Sequence, residues 1–355
     1  MPSAFILRFA RKRLQDLADW ARACAETLDA AFQETGEILV QTQLDHGGGV
    51  DDAVARWGGT RDEWIDLSTG INPVPYPVSA FNSRDWTSLP DRAANDAVLN
   101  AARAFWNVPK GADIIAAPGA SALIAQMPRL FSGPQVHIPA PTYNEHAAAF
   151  RAANWSVQST LSKGDAPTVL VHPNNPDGKL WTKKDADRAH VIIDESFADI
   201  CPDRSLIARA AEPGCVVLKS FGKFWGLAGL RLGFAIGHPE TLKPLRSMLG
   251  PWAVSGPALT IGTNALNDTQ WAHQTRTRLA EDAARLDALM TRHGYQVVGG
   301  TTLFRLYDCE DAGTVQDKLA RSKIWSRIFP YSQRWLRLGI PGPCGWPRLE
   351  AALAS

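Results

Sequence analysis

In the stretch HPNNPDGKL, His172 to Leu180, two asparagines, a proline and a glycine follow directly on the apolar run Thr168-Val169-Leu170-Val171. A strand that ends in a turn needs one or two such residues, here Pro176 to fix φ and Gly178 to allow φ > 0. A longer polar run at a strand end offers side chains as well as a bend. Polar groups recur in this way at Gly119-Ala120-Ser121, at Asp194, and at Lys223 with Arg231 in SFGKFWGLAGLRLGF. Their types make a chemical set. An amine condenses with an aldehyde, a carboxylate keeps a pyridine nitrogen protonated, and an amide donates to a ring oxygen. Backbone N–H groups at a helix start, with an arginine, hold a phosphate. Pyridoxal phosphate asks for all of these at once.

The elements that would carry these groups alternate. AANDAVLNAARAFWNV reads as a helix, DIIAAPGASALIAQMPRLF as strand, turn and helix, and QVHIPAPTY as a strand before the helix of NEHAAAFRAA. PTVLVHPNNP and HVIIDESFADI are strands, and GCVVLKSFGKFWGLAGLRLGFAIG holds two strands around a Gly-rich bend. This alternation implies an α/β fold with a mostly parallel sheet covered on both faces. Ligands of such sheets sit beyond the carboxyl ends of the strands. After Gly256 the pattern predicts one long helix, ALTIGTNALNDTQWAHQTRTRLAEDAARLDALMTRHG, then short strands in YQVVGG, TLFRLYD and WLRLGI. The expected division is a helical extension at 1–40, an arm at 41–85, a large domain at 86–256 and a smaller α+β domain at 257–355. Residues 4–34 read as a helix with Leu7, Leu14, Leu17 and Leu28 on one face.

At 355 residues the chain can build a large core, and 45% apolar with 21% charged residues is ordinary for a globular protein. A net charge of +1 gives no electrostatic reason to expect nucleic acid or an anionic membrane surface. No apolar run has the length of a membrane span. The 5 cysteines are scattered and the 8 histidines show no ligand spacing, so neither disulfides nor a metal is expected, and a cytoplasmic location is.

HPNNPDG, VIIDESFADI and SFGKFWGLAGLRLGF together resemble the fold-type-I pyridoxal-phosphate enzymes of the class I/II aminotransferase family, the last matching S-x-x-K followed by G-L-R-x-G. The resemblance implies that family's fold: a large domain with a seven-stranded, mostly parallel sheet and a smaller C-terminal domain. It implies that Lys223 bonds the cofactor and later moves a proton, that Asp194 pairs with the pyridine nitrogen, and that Asn175 donates to the ring oxygen. Ser220, Arg231 and the backbone at Gly119, Ala120 and Ser121 would bind its phosphate, and Tyr143 would stack on the ring. Arg337, in WLRLGI, matches the family's substrate-anchoring arginine. Asn174 reads as turn structure. A homodimer is implied as well.

Three positions depart from the common pattern. Phe197 stands where many relatives have a tyrosine, Gly222 where they have Ser or Thr, and Leu89, in LPDR, where histidinol-phosphate aminotransferases have a tyrosine. The segments LDHGGGVDDAVARWGG and WIDLSTGINPVPYP are similar to the cobalamin-biosynthesis branch of the family, which decarboxylates O-phospho-L-threonine to (R)-1-aminopropan-2-yl phosphate. Under that resemblance Arg337 clamps the substrate phosphate or holds the carboxylate out of the ring plane, and Asn72 and His46 close on the substrate. His46 reads equally well as a surface loop histidine. The alternative reading is a histidinol-phosphate aminotransferase or a related amino-acid aminotransferase. A non-catalytic regulator on this fold would carry a DNA-binding domain ahead of it, and residues 1–40 are too short and too weakly basic for one.

Overall fold

The structure, a computed structural model, describes residues 46–78, 82–162 and 164–354. The helix expected over 4–34 and the extension at 1–40 lie outside the described residues. His46–Ser355 form one compact unit.

The chain enters with α1 (Val50–Trp57), β1 (Ile65–Asp66), α2 (Ser83–Thr87) and α3 (Arg92–Phe105). Asp91 starts α3, its side chain accepting from Ala94 N at 2.8 Å, and the helix buries Val98, Ala101 and Ala102. The alternation then unfolds as expected: β2 (Asp113–Ala117), α4 (Ala120–Ile124), β3 (Gln135–His137), α5 (Asn144–Ala152), β4 (Ser156–Gln158), β5 (Thr168–Val171), β6 (Val191–Asp194), β7 (Cys215–Ser220) and β8 (Gly233–Gly237). These strands form a 7-stranded sheet in the order β2-β8-β7-β6-β5-β3-β4. All neighbours run parallel except β8, which is antiparallel to both β2 and β7.

TVLV, VIID and all of CVVLKS but its last residue are buried end to end, as strands covered on both faces must be. Their period of two divides the core. Ile114, Val191, Ile193 and Val217 face one cluster, and Ile115, Ile192, Val216 and Leu218 face the other.

Beyond β8 come α6 (Pro239–Leu249), α7 (Gly256–Asn267) and α8 (Thr269–Arg292). The single long helix expected here is two helices. Asp268 leaves helical geometry at φ −90, ψ 74, and its side chain accepts from Trp271 N at 2.9 Å, so it caps α8 instead of continuing α7. The C-terminal part adds β9 (Gln296–Thr301), β10 (Phe304–Asp308), α9 (Ala312–Arg321), β11 (Ile324–Trp325), β12 (Arg327–Phe329), β13 (Ser332–Gly339) and α10 (Trp346–Ala354). Four of these strands make an antiparallel sheet in the order β12-β13-β10-β9. Its Phe304, Leu336 and Leu338 belong to the same core cluster as Val191 and Val217, so the two sheets share an interior. β1 pairs in parallel with β11, which stitches the irregular N-terminal segment to this C-terminal region.

Candidate active site

The side chains singled out by type converge at the carboxyl ends of the parallel strands. Asp194 is the last residue of β6, Ser220 the last of β7, and Asn175 follows β5 in the turn. Lys223 occupies the turn from β7 to β8, and its neighbours explain why that turn is fixed. Phe221, Phe224 and Trp225 are fully buried, with Phe221 stacked on Trp225 at 5.0 Å, so every residue around the lysine is an anchor. The arm adds three ties: Asn72 N donates to Lys223 O at 3.0 Å, Asn72 Nδ2 to Phe224 O at 2.9 Å, and Tyr76 N to Trp225 O at 2.9 Å.

Lys223 is half-buried, with Nζ 5.5 Å from the centre of the Phe197 ring. Burial and the nearby Arg337 guanidinium push its pKa down to about 8 against the opposing pull of Asp194. A lysine that loses its proton this readily is available as nucleophile and base. Asp194 is buried, which by itself would raise its pKa. Hydrogen bonding and charge from His146, with two bonds from Ser196, more than reverse that and keep it anionic. His146 Nε2 lies 2.8 Å from one carboxylate oxygen, while Ser196 N and Oγ donate to the other at 2.9 and 2.5 Å.

His146 and Ser196 were not singled out from the sequence. His146 lies three residues beyond Tyr143 in PTYNEH, one turn along α5. That spacing was the available signal. Tyr143 sits at the start of α5, its ring 6.1 Å from His146 and 6.3 Å from His46. Burial, with the charges of Glu145 and Asp194, pushes its hydroxyl pKa up to about 12, so it stays protonated at neutral pH.

On the other side is an anion cradle. Gly119, at φ 87, starts α4, and a Cβ there would lie 2.6 Å from Arg231 Nη2. A Cβ on Gly233 would lie 2.5 Å from Ala120 N. Only glycine lets the guanidinium and the strand come this close to the N–H groups of Ala120 and Ser121. Arg231 holds its place with a left-handed backbone, φ 53, and a bond from Nη1 to Ala228 O at 3.1 Å. Ser220 Oγ accepts weakly from Gly222 N at 3.4 Å. A Cβ on Gly222 would lie 3.1 Å from Ala228 Cα, so this turn is packed for glycine rather than Ser or Thr.

Arg337, on β13, is buried, and its guanidinium reaches two places. One nitrogen donates to Asn175 Oδ1 and the other to Ser68 O. Its carbon lies 5.2 Å from the Phe304 ring centre. Gly47 passes beside it, since a Cβ there would be 3.5 Å from Arg337 Nη2. Gly48 N donates to Ser68 Oγ at 2.7 Å, which donates to Asp66 at 2.6 Å, so the HGG segment is laced to the strand of the arm. His46 is brought to the site, but its imidazole pairs with Glu145 at 2.8 Å. Asn72 is buried with its amide engaged: besides Phe224 O, its Oδ1 accepts from Val74 N at 3.0 Å and from Arg278 at 2.7 Å. Asn174 is turn structure, donating to Asp177 at 2.8 Å and Pro141 O at 3.0 Å. Leu89 is 66% exposed.

The arrangement offers a depressed lysine, a buried carboxylate held anionic, and a cup of N–H groups that a single Cβ would fill. These residues fit pyridoxal phosphate: Lys223 for the aldehyde, Asp194 for the ring nitrogen, Asn175 for the ring oxygen, and Ala120, Ser121, Ser220 and Arg231 for the phosphate. The profile of the class I and II aminotransferases matches residues 62–343.

The chain belongs to the class I and II aminotransferase family.

Within this family it is 38% identical over 327 residues to a threonine-phosphate decarboxylase of Sinorhizobium sp, covering 87% of this chain and 97% of that protein. It is 36% identical, with the same coverage of each, to a threonine-phosphate decarboxylase of Pseudomonas aeruginosa. Among solved structures, the histidinol-phosphate aminotransferase from Sinorhizobium meliloti in complex with pyridoxal-5'-phosphate aligns with a TM-score of 0.75. That match covers 85% of this chain and 92% of that one at 18% identity, a level that shows the shared fold. The resemblance read from the three motifs, and the fold it implied, are thereby borne out.

Proposed function

We propose that this member of the class I and II aminotransferase family is a pyridoxal-phosphate-dependent carboxy-lyase. Its substrate is O-phospho-L-threonine and its product (R)-1-aminopropan-2-yl phosphate, made in the cytoplasm for cobalamin biosynthesis. The observation that carries the chemistry is the convergence at the carboxyl ends of the sheet of Asp194, closing β6, and of Lys223, in the turn after β7, whose pKa burial and Arg337 push down against the pull of Asp194. The naming of relatives at 38% and 36% identity supports the substrate.

When bound, pyridoxal phosphate supplies a sink for the electron pair left at Cα once carbon dioxide departs. Asp194, kept anionic by His146 and Ser196, would hold a proton at the ring nitrogen. Arg337 provides a fork of donors for an acidic substrate group, carboxylate or phosphate. Lys223, neutral part of the time near pH 8, takes and returns protons at its Nζ and is the candidate to protonate Cα. The loop at 46–48 is tied to Ser68 and Glu145, and its Gly47 passes beside Arg337. Choice of reaction would depend on how Arg337 and its neighbours orient the substrate, and that is positioning. Phe197 supplies no hydroxyl near the lysine, and Leu89 none at its position. Both fit this branch better than a histidinol-phosphate aminotransferase. The working unit is proposed to be a homodimer.

One incubation tests this. The holoprotein receives O-phospho-L-threonine without a keto-acid acceptor, and products are read by mass spectrometry. Aminopropanol phosphate and carbon dioxide are expected. Their absence, with amino transfer from histidinol phosphate to 2-oxoglutarate, would replace this reading by the aminotransferase one.

A further inference from the structure

Beside Asn175 itself, the turn that carries it meets β9 of the C-terminal sheet through backbone atoms. Gly300 N donates to Asp177 O at 2.8 Å. A Cβ on Gly299 would lie 2.3 Å from that same carbonyl oxygen, and one on Gly178 would lie 1.9 Å from Gly300 O. Gly178 is at φ 75 and Gly300 at φ 128, both in the region that favours glycine.

Strand register shows what this contact positions. Gly299 on β9 stands opposite Leu306 on β10, Leu306 opposite Arg337 on β13, and Arg337 opposite Arg327 on β12. Paired residues of an antiparallel sheet present the same face. One row of the sheet therefore runs from the glycine dock to the arginine. The turn meets this row twice, by backbone at Gly299 and by Asn175 Oδ1, which accepts from Arg337. Between the two points the turn is braced. Asn174 Nδ2 donates to Asp177 at 2.8 Å, Thr142 Oγ1 to Asn174 at 2.6 Å, and Gly178 N to Asn174 O at 2.8 Å. A braced turn fixed at one end has its other end placed.

We propose that Gly178, Gly299 and Gly300 are positioning residues, forming a side-chain-free dock that sets the Asn175 carboxamide against Arg337. The dock couples the group that holds the substrate's acid to the group that touches the cofactor's ring oxygen. This rests on the site reading given above. A methyl group inserted at Gly299 must lift the turn off the sheet, and a shift of about 1 Å in a positioning group is enough to lower turnover by up to roughly 100-fold.

The test compares Gly299→Ala, Gly178→Ala and the double variant with wild type, all as holoproteins. Gly299 lies outside the left-handed region, so its alanine adds bulk without backbone strain and carries the main test. Val298→Ala, at a position 42% exposed, is the control. Three quantities are read: the melting temperature, the pH midpoint of the bound cofactor's visible absorbance, and kcat and KM for O-phospho-L-threonine. Expected for Gly299→Ala are a lowered melting temperature together with an absorbance midpoint moved by about half a pH unit or more and KM raised about tenfold or more. Gly178 faces Gly300 O and Gly299 faces Asp177 O, adjoining points of one dock, so once either methyl has lifted the turn the second should add little, and the double variant should be no worse than the worse single. Val298→Ala should match wild type. A lowered melting temperature with unchanged KM and absorbance midpoint would reduce the dock to a structural contact and overturn the proposal. Effects that multiply in the double variant would overturn it too. If wild type does not turn over O-phospho-L-threonine, the substrate reading fails, and the absorbance midpoint still decides the dock.

Discussion

At the scale of single residues, Lys223 and Asp194 show opposite outcomes of burial. Both lose water, but Lys223 has Arg337 beside it, while Asp194 has His146 and Ser196. With the Lys223 pKa lowered from 10.5 to about 8, the unfolded chain binds its proton more tightly than the cofactor-free folded protein does. Stability must therefore rise as pH increases from about 8 to 10.5, and the buried charge is a full penalty below that window. At 1.36 kcal/mol per pKa step the penalty is at most about 3 kcal/mol, less for the solvent access the lysine keeps. Lys223→Met should raise the urea midpoint of the cofactor-free protein at pH 7 while abolishing turnover and the absorbance band of the lysine-bound cofactor. An unchanged or lower midpoint would remove burial as the cause of the shift. For Asp194→Asn, kcat should drop on the order of 100-fold or more with cofactor still bound, because a neutral amide cannot stabilise a cationic nitrogen. Normal kcat would take Asp194 out of the mechanism. His146 shows where reading by residue type stops. A histidine on a mostly apolar helix gives no sign of its partner, and only the packing of α5 against the end of β6 supplies Asp194.

At the scale of elements, the turn from β7 to β8 is held by a segment far away in sequence. Asn72, expected to touch substrate, spends its amide on Phe224 O, Val74 N and Arg278. Removing it strands the buried carbonyl of Phe224, while Arg278 keeps Asp282; the loss costs about 1–3 kcal/mol. Asn72→Ala should lower stability by that amount in urea unfolding and loosen the cofactor. A change below about 0.5 kcal/mol would show that the turn holds itself. The same scale explains why one apolar pattern yields two helices. The apolar pattern continues through Asn267-Asp268-Thr269, but an aspartate that can cap the next helix competes with its own helical backbone.

At the scale of the whole molecule, Trp86 is 66% exposed, Leu89 66% and Trp252 61%. Large side chains left in water are a reason for the surface to be covered. Trp252 also lines a cleft of about 300 Å³ with Pro90, Asp91, Leu99 and Leu249. A second copy of the chain is the proposed cover. Light scattering should give twice the monomer mass, and Trp252→Asp should shift the protein toward monomer with lost activity. A fully active monomer would refute the dimer.

The sequence by itself marked which groups are candidates for the chemistry. Asparagine, aspartate and lysine at the ends of apolar strands are out of place for any core, and a sheet of parallel strands sends such ends to one side. It also determined the α/β alternation, because burial on both faces leaves runs such as VLV and VII that nothing else explains. Only the tertiary structure decided what surrounds those groups. His146 under Asp194, Asn175 on Arg337, Asn72 behind Lys223 and the glycines beneath the turn are contacts between segments with no local relation. The physical reason is that a pKa or a position is set by whatever atoms lie within a few ångströms, and which atoms those are follows from chain topology, not from spacing along it.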